Sequence, residues 1–137
     1  MSVEENKALV RRAHEEGNKG NMPVYYELHG GNLVFHQPDG QELGLEAFKQ
    51  LFTAMSTAFP DLHITVEDVI AEGDKVVARY TWTGTHKGEL GGIPPTGRQV
   101  TVHGTEVLRI VGGKLVEAWD EVDYLGLMQQ LGVLPSQ

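Results

Sequence analysis

The hydrophobic pattern of the chain turns from mainly helical spacing to mainly strand spacing near Pro60, and that change limits the fold more than any other feature. Before it, apolar residues recur at helical spacing. SVEE offers Ser2 as a cap with Glu5 reaching back, and Val3, Val10, Ala13, His14 and Gly17 share one stripe of a helix running towards Gly17. Asn21 and Pro23 open a short helix through VYYEL, stopped by Gly30 and Gly31, after which LVFHQ reads as a strand with His36 on the face of Val34. LEAFKQLFTAMSTAF sets Phe48, Leu51, Phe52, Met55 and Phe59 on one stripe and halts at Pro60. Beyond it the period is two: LHITVEDVIA, VVARYTWTGTH, VTVHGTEVLRI and KLVEAWDEV read as strands, joined by AEGDK, a long Gly/Pro loop and VGG. DYLGLMQQLG closes the pattern as a short helix with Asp123 as cap. Helices first and strands second predict an α+β fold, a curved antiparallel sheet covered by the N-terminal helices, rather than alternating βαβ units. No repeat or linker divides residues 1–137, so one domain is expected.

Two carboxylates interrupt the apolar strand faces. Asp120 falls on the face of Val116, Ala118 and Val122, and Glu106 on that of Val102, Gly104, Leu108 and Ile110. The connection between these strands decides whether the acids meet. A two-residue Gly112-Gly113 turn sets Glu106 opposite Trp119 and puts the acids on opposite faces. A three-residue VGG loop sets Leu108 against Val116, Glu106 against Ala118 and Gly104 against Asp120, so the apolar stripes coincide, and this is the expected register. Glu106 and Asp120 are then diagonal neighbours, about 7–8 Å apart between backbones. Burial and mutual repulsion both push at least one such pKa up, towards the range of a general acid or base. The structural alternative is a pair of acids tied down by hydrogen bonds or a basic partner.

The formal charge of -8, from 19 acidic against 11 basic residues, gives no reason to expect nucleic acid or an anionic membrane as partner. The absence of cysteine excludes disulfides and thiolate chemistry. MSVEENKALV is too acidic and too briefly apolar for a signal peptide, so a cytoplasmic location is expected.

FHQP, AFPDLHITVEDVIAEGDKVVARYTWTGTHKGELGGIPPTGRQV and EVLRIVGGKLVEAWDEVDYLGLMQQLG together resemble the SnoaL-like polyketide (ester) cyclases of the nuclear transport factor 2-like superfamily, over nearly the whole chain. The resemblance implies a cone-shaped fold shared with ketosteroid isomerase, in which helices cap a curved sheet around a deep apolar pocket. It also implies ring closure of a polyketide by intramolecular aldol condensation without metal or cofactor, with an aspartate of the last long strand as acid/base, here Asp120. Glu106 matches the isomerase acid that hydrogen-bonds an enolate oxygen, at a place where the cyclases lead one to expect histidine.

Other residues carry weaker signals. His14, on the inward stripe of the first helix, suits substrate orientation or a proton shared with Asp120, or a satisfied core histidine. His36 is placed in the same cavity or in a structural hydrogen bond. Tyr80 and Trp82, with Phe48, Leu51 and Met55, wall a pocket for a flat apolar ligand or form ordinary core. His29, His63 and His103 read as surface or sheet-back residues, and no spacing among the six histidines suggests a metal site. KGELGGIPPTGRQ suits a loop at the pocket mouth. Trp119 and Val107 share the other sheet face, where an exposed indole suits a homodimer or tetramer interface, or packs under the last helix.

The expected activity is therefore a cofactor-independent lyase or isomerase on a small apolar carbonyl compound. Its rivals are a hydrolase of an ester or epoxide in the same pocket, and a non-catalytic, small-ligand-binding homodimer.

Overall fold

The computed structural model describes residues 1–134. Its elements run α1 (Val3–Asn18), α2 (Met22–Glu27), β1 (His29–His36), β2 (Glu42–Leu43), α3 (Leu45–Ala58), β3 (His63–Glu72), β4 (Lys75–Thr85), β5 (Gln99–Val111), β6 (Lys114–Val122) and α4 (Tyr124–Gln130). The helix starts follow the sequence closely. The Ser2 hydroxyl accepts from the Glu5 N–H at 3.1 Å while the Ser2 N–H donates to the Glu5 carboxylate at 3.0 Å, and Asp123 accepts from the Gly126 N–H at 2.9 Å.

The strands form one curved, unclosed sheet in the order β2-β1-β6-β5-β4-β3. It is mixed rather than wholly antiparallel, because β1 runs parallel to β6. The hairpins from β3 to β6 make an antiparallel meander whose last strand would end in bare hydrogen-bonding groups. β1 covers that edge, and α3 with the intervening strands supplies the long return a parallel pair needs. The α+β class is as expected, with α1, α2 and α3 packed on the concave face.

The β5–β6 hairpin differs from the expected register. Gly112 and Gly113 form the two-residue turn, both with positive φ (59° and 76°), the conformation that glycine adopts without strain. The faces do not fall out of phase, because the register jumps between Ile110↔Leu115 and Arg109↔Glu117 and leaves Val116 as an extra residue, a β-bulge. Beyond it Leu108 faces Ala118 and Glu106 faces Asp120 directly. The acids are thus opposite neighbours, with β-carbons about 5 Å apart, rather than diagonal ones.

β1 corrects a second expectation. Leu33 and Phe35 are buried in the core, so His36 and Val34 point to the other face of the sheet. The apolar demand of Leu33 and Phe35 sets the pleat.

Candidate active site

β5 keeps every even position from Val100 to Ile110 buried, and Glu106, only 8% exposed, sits within that apolar row. A buried carboxylate needs a partner. α1 supplies it, for Val10 and Ala13 anchor the helix against the core and aim His14 inward, where its Nε2 lies 2.5 Å from Glu106 Oε1. Burial lowers the His14 pKa, but the charge and hydrogen bond of Glu106, joined by the charge of Asp120, outweigh burial and raise it. The contact is thus an ion pair in which His14 donates.

Asp120 is held from β4. Tyr80 stands opposite Gly104 in the ladder, and its ring lies across that glycine: a β-carbon at position 104 would meet Tyr80 Cζ and Oη at 2.5 Å. Crossing β5 at this bare position, the Tyr80 hydroxyl donates to Asp120 Oδ1 at 2.6 Å. Burial first, and then the charge of Asp120, push the phenol pKa up, so Tyr80 remains a donor. Asp120 itself is pushed up to about 7, by burial first and by the charge of Glu106 second, against the opposing pull of Tyr80 and His14. A carboxyl group poised near neutrality exchanges protons in either direction under ordinary conditions.

These four side chains line a cavity of about 140 Å³ between the helices and the sheet. Trp82, Phe48, Leu51 and Met55 contribute to its wall, as do Leu33, Phe35, Leu108 and Ala118, so the space is apolar apart from a few convergent groups. Tyr124, 44% exposed, marks a side on which it meets solvent. A hollow of about 380 Å³ adjoins it and shares His14, Tyr25, Phe52, Leu62 and Ile64 with it.

Three expectations are corrected here. His36 is outside the cavity: its ring stacks on Trp119 at 5.1 Å, and its Nε2 lies 2.8 Å from Glu117 Oε2. His29 is not a surface residue but lines the cavity, 9% exposed, with Nδ1 2.8 Å from the Tyr25 carbonyl oxygen. Burial lowers its pKa. The glycine- and proline-rich loop does not line the cavity. It packs instead against the end of α3, where the Lys87 and Gly88 N–H groups donate to the Ala58 carbonyl and the fully buried His86 receives the Thr96 N–H on Nδ1. The tie between Tyr80 and Asp120 was not anticipated, although Gly104 in an otherwise filled apolar row was its signal. For His29 there was no local signal, since the ladder to β6 shifts register between His29 and Val34 and alternation does not carry across that break.

Comparison with known proteins identifies the family. The model of the SnoaL-like polyketide cyclases matches residues 8–131. Aklanonic acid methyl ester cyclase DnrD of Streptomyces peucetius is 33% identical over 130 residues, covering 90% of this chain and 88% of that protein. Among solved structures, AclR of Streptomyces galilaeus, whose assignment as a hydroxylase is provisional, superposes with a TM-score of 0.92 at 34% identity, over 99% of this chain and 86% of its own. IdmH of Streptomyces antibioticus, provisionally a polyketide cyclase, gives 0.84 at 29% identity, over 93% of this chain and 98% of its own. With the fold, the length matched and the identity all in accord, the chain belongs to the SnoaL-like polyketide cyclase family.

Proposed function

We propose that the protein is a cofactor-independent acid/base enzyme that closes a ring in a small, largely apolar carbonyl compound by intramolecular aldol condensation. The observation that carries this reading is Asp120, a carboxyl group poised at about 7 in the wall of an apolar cavity with one oxygen fixed by Tyr80. Its other oxygen takes a proton from the carbon next to a carbonyl, leaving the electron pair as an enolate. The enolate carbon bonds to a second carbonyl carbon of the same molecule, and the electron pair displaced onto that oxygen takes the proton back from Asp120. One C–C bond forms, one C=O π bond is lost, and the enzyme ends as it began, with no oxidant or reductant consumed. Glu106 is engaged by His14, so its role here is to hold up the Asp120 pKa by its charge rather than to donate to the enolate oxygen. Trp82, Phe48, Leu51 and Met55 exclude water from the reacting carbon.

Aklanonic acid methyl ester, named in the relative's activity, is the first compound to test. Ring closure gives a product of unchanged mass and altered chromatographic retention. Release of methanol and a free acid would instead identify a hydrolase, and binding without turnover a sequestering protein.

The outer sheet face supports a homodimer. Trp119 stacks on His36 there, with the Lys75 ammonium 5.7 Å from the indole centroid and Val107 as its ladder partner, and the patch mixes apolar area with charge as association surfaces do. Trp119→Glu should shift the sedimentation mass towards the monomer, whereas a monomeric wild type at micromolar concentration would refute the dimer. Among the described residues no helix is long and apolar enough to cross a membrane, and the protein is proposed to act in the cytoplasm.

A further inference from the structure

Besides the acid/base cluster, the first residue of β1 puts another polar side chain into the cavity. His29 pairs with Leu115 in the ladder between β1 and β6, five residues before Asp120 with Val116 among them bulged out, so four ladder steps of about 3.3 Å set the two backbone positions roughly 13 Å apart along the sheet. The ring is fixed on three sides. Tyr25 and Phe48 pack against it with centroids at 4.8 and 5.1 Å, and Nδ1 lies 2.8 Å from the Tyr25 carbonyl oxygen. A carbonyl oxygen only accepts, so Nδ1 carries the proton and, in a neutral ring, Nε2 presents a lone pair. Burial favours that neutral form. Nε2 makes no hydrogen bond within the described residues, and it is not among the sealed, unpartnered buried atoms, which are Asn6 Oδ1, His14 Nδ1 and His86 Nε2. It therefore faces open space, and the space the residue lines is the cavity.

We propose that His29 reads the substrate: its Nε2 accepts a hydrogen bond from a hydroxyl of the ligand, so that the cavity selects a carbonyl compound carrying an enolic or phenolic hydroxyl remote from the carbon that Asp120 deprotonates. This rests on the reading of the cavity as the substrate site and names the class of substrate it takes. A fixed lone pair in apolar surroundings rejects a partner without a donor, since that pairing leaves a buried acceptor unsatisfied. The ring and its Tyr25 anchor also fix the ligand's orientation, presenting one particular carbon to Asp120.

The test uses 1-naphthol and its methyl ether as probes, with binding followed by quenching of tryptophan fluorescence. The wild type should favour the naphthol by about tenfold or more, the worth of one hydrogen bond in a site built for it, and His29→Phe should bind both compounds about equally while keeping its affinity for the ether. Imidazole nitrogen NMR of the unmutated protein gives an independent readout, in which naphthol should shift the His29 Nε2 resonance as a hydrogen-bond acceptor and leave Nδ1 protonated. Equal affinity of the wild type for the two probes, or an Nε2 signal that ignores naphthol at saturation, would overturn the proposal. Neither readout involves turnover, so a failure here is separate from a failure of the aldol reaction.

Discussion

Asp120→Asn should lower turnover by about 10²–10⁴-fold, the usual worth of a positioned acid or base, while leaving the fold and ligand affinity close to wild type. The amide keeps the shape of the carboxylate, and its oxygen still accepts from Tyr80, so the site loses a proton-transfer group and little else. Stability should move the other way. The folded-state pKa of Asp120, about 7, lies above its ordinary 3.8, so the folded protein binds the extra proton between those values. Wild-type stability therefore falls as pH rises from about 4 to about 7 and stays low above that. The asparagine variant carries no such penalty, and thermal melts should find it more stable than wild type at pH 8, with the difference closing towards pH 4. An aspartate kept for structure gives the reverse, a destabilised variant with normal turnover per folded molecule.

His14→Leu should produce the largest loss of stability, about 3–5 kcal/mol in denaturant titrations, because it leaves the buried Glu106 carboxylate without its partner. Adding Glu106→Leu to that variant should recover most of the loss, since removing both charges also removes the cost of burying them. The His14 pKa is raised above its ordinary 6.5, so the contribution of the pair is complete below about that pH and is lost as pH rises through the folded-state value. Its pH trend thus has the same sign as that of Asp120, and the wild type should be most stable under mildly acidic conditions. Glu106→Leu also removes the second-largest influence holding Asp120 up. In the double variant the loss of Glu106 outweighs the loss of the smaller, opposing pull of His14, so the rise of activity with pH should begin at lower pH, an effect that a purely structural ion pair would not have.

The elements were legible because period and caps are local properties. The capping box at Ser2, the stripe of α3 and the alternation of β5 each follow from side chains within one or two turns or pleats. What depends on partners far along the chain was not. Nothing near LVFHQ announces that β1 will pair with β6 some eighty residues later, nor that this pairing will be parallel. The bulge at Val116 was hidden for another reason, since a two-residue turn followed by a bulge and a three-residue loop both bring the apolar stripes into phase, and only the bulge sets Glu106 against Asp120. In the site, Asp120, Glu106 and His14 stood out as polar groups on apolar faces. Tyr80 did not, because a tyrosine in a strand explains itself by packing, and its hydroxyl finds Asp120 only through the space that Gly104 leaves across β5. The burial of Leu33 and Phe35 fixes which way His36 faces, whereas the direction of His29 depends on a register shift between it and Val34 that no neighbouring residue announces.

The central claim is that Asp120 is a proton-transfer group poised at neutral pH, and it is tested most directly by following the carbon-13 resonance of its side-chain carboxyl through a pH titration of the otherwise unaltered protein, with Asp120→Asn to assign the signal. The expected result is a midpoint near 7. A midpoint near the ordinary 3.8, with the carboxylate fully ionised throughout the neutral range, would contradict the account.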